Sequence, residues 1–258
     1  MADVDLKQDP PEDLDYHDMA LWKYQRYLQD YLRCIAAVDE NVGRVCERVA
    51  HRGQRDTTIT LYGSDQGFFL GEHGWFDKRF MYEESLRMPL VMSWPDRIPA
   101  GQVIDDLVSN VDIAQTLLDA AGIPGPQRMQ GVSLLSRITG LSDAQVRDAF
   151  YYRYYEHDDH MHHVWAHYGL VTERYKLIYY YADGLGLANA GDVTYPPEWE
   201  LFDTDEDPHE LHSVYFDPRY RQVREQLKER LLELQHALGD VPYERPTPVQ
   251  RAKLIGKR

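Results

Sequence analysis

The chain has 258 residues, and its 28 Lys+Arg against 43 Asp+Glu give a formal charge of −15. No basic surplus exists to neutralise a phosphate backbone, so nucleic acid is excluded as a partner. No run of about 18 apolar residues is present to span a bilayer as a helix. At 43% hydrophobic and 28% charged residues the composition is globular, and the length suits one large domain or two small ones.

Behind Met1 the stretch Ala-Asp-Val-Asp-Leu-Lys-Gln-Asp lacks the pattern of a signal peptide, and the first 15 or so residues read as an exposed lead-in. Over residues 22–50, Leu28, Leu32, Ile35, Val38, Val42, Val45 and Val49 recur every three or four positions. That spacing predicts an amphipathic helix, with Gly43 as a close-packing point and Gly53 closing it. Cys34 and Cys46 lie on this helix, too few for a disulfide framework, and read as buried apolar thiols. Residues 57–62 are β-branched and short, predicting a buried strand that ends at Gly63. A second strand is predicted at 89–94 and a helix at 111–122, together suggesting α/β layers with a mostly parallel sheet.

Residues 123–140, with Pro124, Pro126 and three glycines, read as a linker. Beyond it the pattern changes: nine of the 19 Tyr and five of the 11 His fall within residues 151–181. Strands are predicted at 149–155, 168–172, 175–181 and 200–203, with a hairpin turn at Glu173-Arg174. Residues 221–238 form an amphipathic helix, and 245–258 a polar tail.

The chemistry-bearing stretch is residues 63–79, GSDQGFFLGEHGWFDKR. A strand delivers Asp65 and Gln66 at its carboxyl end, where open α/β sheets place ligands. A carboxylate beside an amide carbonyl is a hard oxygen pair suited to Ca²⁺ or Mg²⁺. Gly67, Gly71 and Gly74 let the loop close around a small anion, and Lys78 offers a point charge to it.

The string SDQGFFLGEHGWFDKRFMYEESLRMPLVMSWP resembles the segment of sulfatases in the alkaline-phosphatase-like superfamily that carries two metal-binding side chains and then a sulfate-binding lysine. DYLRCIAAVDENVGRV, SNVDIAQTLLDAAGIP, MQGVSLL, HYGLVTERYKLIYYY and WELFDTDEDPHEL extend the resemblance over about residues 24–238. The Asp-Gln form with GEHGWFDKR is similar to glycan sulfatases of the N-acetylglucosamine-6-sulfatase and heparan N-sulfatase kind. The resemblance implies an α/β fold: the C-terminal part of the sulfatase catalytic domain (1–140) plus a small α+β subdomain (141–258) with an antiparallel sheet and a C-terminal helix. It makes Asp65 and Gln66 Ca²⁺ ligands and Lys78 a catalytic contact to the sulfate ester. Arg79 and His73 are implied substrate contacts. His162 and His167 match a His-x-x-x-x-His-Tyr-Gly pattern, as sugar contacts or, for His167, as a catalytic proton donor to the leaving group.

In that family a formylglycine made within Cys- or Ser-x-Pro-x-Arg is the nucleophile. Neither cysteine fits, and the literal match Ser93-Trp94-Pro95-Asp96-Arg97 follows the metal motif instead of preceding it. Asp105-Asp106, out of order for the N-terminal metal aspartates, reads as a solvated turn. The expectation is therefore a sulfuric ester hydrolase acting on sulfated sugars, present as a C-terminal half without its nucleophile and with an incomplete Ca²⁺ site. Two alternatives stay open: a phospho- or phosphonate-ester hydrolase of the same superfamily, or a non-catalytic chain that binds sulfated sugar or docks onto a separately encoded N-terminal half. Bottom-up, the tract His157, His160, His162, His163 and His167 also suggests a transition-metal site. Only His163 and His167 have helical ligand spacing there, and their flanks do not read as helix.

Overall fold

The computed structural model describes residues 6, 8–187, 190–247 and 249–250, so residues 1–5 and 7 of the predicted lead-in, and 248 and 251–258 of the predicted tail, lie outside the described residues. Two compact units form: Met1–Lys78 with Glu84–Gln102, and Arg79–Glu83 with Val103–Arg258. Among the described residues no helix is long and apolar enough to cross a membrane.

In the first unit, helix α1 (Tyr16–His51) starts earlier than its periodicity predicts, because the Asp15 carboxylate accepts from the Asp18 N–H at 2.8 Å and caps it. Tyr27 and Tyr31 stack on Phe68, and Tyr27 meets Phe76 edge-on, so the N-terminal half of α1 supports the loop that follows β1. The predicted apolar face beyond it is uncovered: Leu32, Ile35, Val38 and Val45 are 45–61% exposed. Cys34 and Cys46 are exposed free thiols, not buried ones, since α1 buries no residue. Gly43 is not a packing point either, as a Cβ there would meet nothing within 4 Å.

Strand β1 (Thr60–Gly63) pairs with β4 (Leu90–Ser93) in antiparallel register, Thr60 opposite Ser93 and Gly63 opposite Leu90. This corrects the expectation of a mostly parallel sheet and of a buried strand. The pair stands as a two-stranded sheet with Tyr62 and Val91 exposed, and burial on both faces needs neighbours that β-branched residues alone do not provide. Between them β2 (Phe69–Leu70) and β3 (Phe76–Asp77) pair antiparallel around a 3₁₀ turn at Glu72–Gly74. Gly71 and Gly74 have φ of 123° and 77°, conformations that favour glycine. The short helix α2 (Glu83–Leu86) follows.

The second unit is built on a four-stranded antiparallel sheet, β5 (Ala149–Tyr154), β6 (His167–Thr172), β7 (Tyr175–Tyr180) and β8 (Glu198–Asp203), in that order. All four predicted strands exist, and the β6–β7 hairpin turns at Glu173-Arg174 as expected. Alternation decides the faces. Tyr168, Leu170, Leu177 and Leu201 pack with Leu227 and Leu231 of helix α5 (Arg221–Leu238) as the core. The opposite face carries His167, Gly169, Lys176, Tyr180 and Phe202, against the segment Arg79–Glu83. A Cβ on Gly169 would lie 2.8 Å from the Met81 sulfur and 2.1 Å from the Leu177 carbonyl oxygen. That segment is held by the buried Lys176, whose Nζ pairs with Glu83 at 2.9 Å and Glu210 at 2.5 Å, while Glu210 also accepts the Glu83 N–H.

The compact units do not divide at residue 140. Helix α3 (Val111–Ala120) and helix α4 (Leu135–Ile138) join the small sheet's unit. Arg147 clamps the fully buried Asp112 through two 2.6 Å bonds, and Asp112 accepts the Ser109 and Val132 N–H groups. Asp106 likewise is no solvated turn: it pairs with Arg137 at 3.0 Å and accepts the Val146 N–H.

Candidate active site

In the first unit the residues after β1 converge on α2. Asp65 is exposed and Gln66 half-buried, and Ser64 ties their turn by donating to the Gln66 carbonyl at 2.8 Å. The Gly67 N–H donates to the Ser85 carbonyl at 2.7 Å. The Ser85 hydroxyl in turn donates to the Lys78 carbonyl at 2.6 Å. Ser85 is buried, so one residue fastens both the oxygen-donor turn and the lysine. Gly67 is required there: a Cβ would sit 2.0 Å from the Glu84 carbonyl oxygen. Among the described residues no carboxylate pairs with the Lys78 ammonium. His73 has φ of 53° and stands edge-on to Phe69, its Nε2 3.5 Å from Glu84 Oε2. The structure thus ties Asp65–Gln66, His73 and Lys78 to one turn, and the two residues that do it, Ser85 and Glu84, carried no signal in the sequence. A small polar residue in an otherwise ordinary helical turn looks like any other.

In the second unit Arg79 lies 3.7 Å from Glu156, which also accepts from the Tyr154 hydroxyl at 3.0 Å. The loop between β5 and β6 carries the histidines, and each has its own task. His157 is fully buried, its Nε2–H donating to the Val193 carbonyl and its Nδ1 accepting the Ala166 N–H. His163 is exposed and faces Asp158. His162 Nδ1 is 2.8 Å from Asp159 Oδ1. Burial works against the charged form of Asp159, but the Met161 N–H and the His162 side chain hold its carboxyl below the ordinary range.

His167 does not reach a solvent-facing pocket. It is fully buried on the Arg79–Glu83 face, stacked among Phe80, Tyr152, Tyr154 and Tyr180. Its Nδ1–H donates to the Trp165 carbonyl at 2.7 Å, and burial pushes its pKa down to about 4. At neutral pH the ring is uncharged and its Nε2 carries a lone pair with no hydrogen-bond partner among the described residues. In this state the nitrogen accepts a hydrogen bond, and a role in protonating the leaving group would need the ring to take up a proton first.

The arrangement can therefore offer hard oxygen donors and an ammonium that no carboxylate pairs with among the described residues on one loop, and a fixed carboxylate–imidazole pair on another. The general sulfatase model matches residues 5–123, and the model for N-sulphoglucosamine sulphohydrolase, C-terminal, matches residues 71–237, more than half of the chain. The chain belongs to the sulfatase family. This sulfatase-family chain is 43% identical over 221 residues to the N-acetylglucosamine-6-O-sulfatase of Bacteroides thetaiotaomicron, covering 85% of the chain and 37% of that protein. The solved structure of BT4656 in complex with its substrate D-glucosamine-2-N,6-O-disulfate matches with a TM-score of 0.80 and 42% identity, over 88% of the chain and 44% of that one. The phosphonate monoester hydrolase SpPMH from Silicibacter pomeroyi matches with a TM-score of 0.71 at 22% identity, over 87% of the chain and 43% of its own, a likeness of fold alone. The sulfatase-family chain thus spans well under half the length of these relatives. Its fold is the C-terminal part of an alkaline-phosphatase-like sulfatase domain with a small α+β subdomain.

Proposed function

We propose that this chain is the C-terminal portion of a sulfuric ester hydrolase acting on sulfated glycans, with Lys78 contacting the sulfate. The Ser85 turn carries the reading, because it fastens the oxygen-donor turn and the backbone of Lys78 on one scaffold. The 43% identity to an N-acetylglucosamine-6-O-sulfatase supplies the substrate class, a sulfated glucosamine. His162, fixed by Asp159, is proposed to meet the sugar, and Arg79 to do so from its contact with Glu156. His73 is proposed to hold the loop's shape through Glu84, beside any substrate contact.

The donors fit Ca²⁺ in kind, since a carboxylate and an amide carbonyl sit on a loop with no room for a Cβ at Gly67. They fall short in number, because Ca²⁺ takes about six to eight oxygens and Asp65 and Gln66 supply two side chains. Asp106 is committed to Arg137 and does not extend the set. When bound, Ca²⁺ would polarise the ester oxygens. The residues present do not fit a formylglycine: Ser93 pairs with Thr60, at the end of β1 remote from Asp65, roughly 10 Å along the strand from Gly63 at about 3.4 Å per residue. The nucleophile and the remaining ligands would thus come from polypeptide outside this chain. Purified, with Ca²⁺ present, the chain is expected to leave 4-nitrophenyl sulfate and N-acetylglucosamine 6-sulfate intact. Turnover abolished by Lys78→Ala would overturn that dependence.

The exposed apolar residues of α1, with Tyr62 and Val91 of the small sheet, also favour docking onto a separately encoded N-terminal half. An uncovered apolar face of this kind marks an interaction surface. No observation favours the phosphonate reading over the sulfate one.

A further inference from the structure

The loop after β5 brings Glu156, Asp159 and His162 together so that one ligand atom from each lies within 4.8 Å of the other two. From this geometry we infer a divalent transition-metal site, of the kind that takes Zn²⁺, formed by these three side chains. It stands on the second unit alone and does not rest on the sulfatase reading.

Two observations converge. The first is the donor set: two carboxylates and an imidazole suit zinc-like ions, whereas Ca²⁺ prefers oxygen alone. Ligand atoms around a tetrahedral ion are about 3.3 Å apart at bond lengths near 2.0–2.1 Å, so the cluster needs only small side-chain rotations to close. The second is an unsatisfied charge. Asp159 is 92% buried, from 8% exposure. Its Oδ1 accepts the Met161 N–H at 3.0 Å, the His162 N–H at 3.2 Å and the His162 ring at 2.8 Å. Its Oδ2 is buried without a hydrogen-bond partner among the described residues. A buried carboxylate oxygen lacking a donor is costly, and a cation beside it removes that cost.

The loop is braced for such a role. The Tyr195 hydroxyl donates to Asp158 at 2.6 Å, and the Gly191 N–H to the His157 carbonyl at 2.5 Å. A Cβ on Gly191 would lie 2.6 Å from the Asp158 carbonyl oxygen. Glu156 also contacts Tyr154 and Arg79 through Oε2, so the ion would recruit its other oxygen. His163, turned towards Asp158, and His167, buried in the sheet, take no part.

The test is calorimetric titration of the chelator-treated, full 258-residue chain with Zn²⁺. We expect one saturable site of micromolar or tighter affinity that millimolar Ca²⁺ does not displace. Glu156→Gln and His162→Ala should each weaken it by roughly tenfold or more, while His163→Ala leaves it unchanged. Because Asp159→Asn also disturbs the loop, the exposed Glu156→Gln is the decisive variant, and substituted Co²⁺ should lose its visible d–d bands in it. Absence of saturable Zn²⁺ binding, or binding that survives both Glu156→Gln and His162→Ala, would overturn the site.

Discussion

Single residues decide the local chemistry, and two glycines show how differently the same residue type is used. Gly67 has its space filled by the Glu84 backbone, whereas Gly43 faces open space on a helix. Gly67→Ala should cost about 1–3 kcal/mol through overpacking. Gly43→Ala should gain about 0.5–1 kcal/mol, by the helix-propensity and chain-entropy difference. Urea unfolding of both variants reads the contrast, and equal shifts would contradict it. His167 offers a second check. Its folded pKa of about 4 lies below the ordinary value of about 6.5. The group therefore stabilises the fold above about 6.5 and loses that contribution as pH falls through about 4. The full swing is on the order of 3 kcal/mol. In a ¹H–¹⁵N titration its ring signals should stay flat from pH 8 to 5, and a midpoint near 6.5 would refute the buried, neutral state. Asp65, Gln66 and Lys78 stand out in the sequence as candidates because a strand end, a glycine-rich loop and a motif point to them, and the fold fastens their loop through Ser85. The neutral state of His167 was not legible there, because it comes from rings on β5, β7 and the Arg79–Glu83 segment that no local pattern joins.

At the level of elements, the small sheet was read nearly complete from tyrosine-rich, β-branched runs and one hairpin turn. The two-stranded β1–β4 pair was not, since strand direction depends on partners and not on composition. The Arg79–Glu83 segment is the element whose placement matters most, because it continues directly from Lys78. It is fixed on the sheet by Lys176, Glu83 and Glu210. Removing one member of a buried ionic cluster strands the others, at about 3–5 kcal/mol. Glu210→Ala should therefore speed amide exchange at residues 80–83 far more than in α5. Uniform exchange across both would show that the cluster does not hold the segment. No local pattern in the sequence marks Glu210, and only the fold delivers it to Lys176.

For the whole chain, the charge of −15 and the exposed apolar face of α1 point in opposite directions for solubility. Charge keeps copies apart, while the α1 face seeks cover. The chain alone is expected to bind a hydrophobic dye and to melt broadly, and a sharp cooperative melt of a clean monomer would argue against an uncovered face. Family and fold region were legible from ordered motifs along most of the chain. The proposed activity rests on half a site, because two candidate ligand side chains and one lysine do not make a hydrolase. Sulfate release from N-acetylglucosamine 6-sulfate therefore tests the central claim most directly. The chain would be joined to the N-terminal portion of the Bacteroides thetaiotaomicron N-acetylglucosamine-6-O-sulfatase. The account predicts Ca²⁺-dependent release that falls on the order of 100-fold or more in Lys78→Ala, the loss of a transition-state charge contact. Release unaffected by Lys78→Ala, or a folded hybrid that cleaves a phosphonate ester in place of the sulfate, would contradict it.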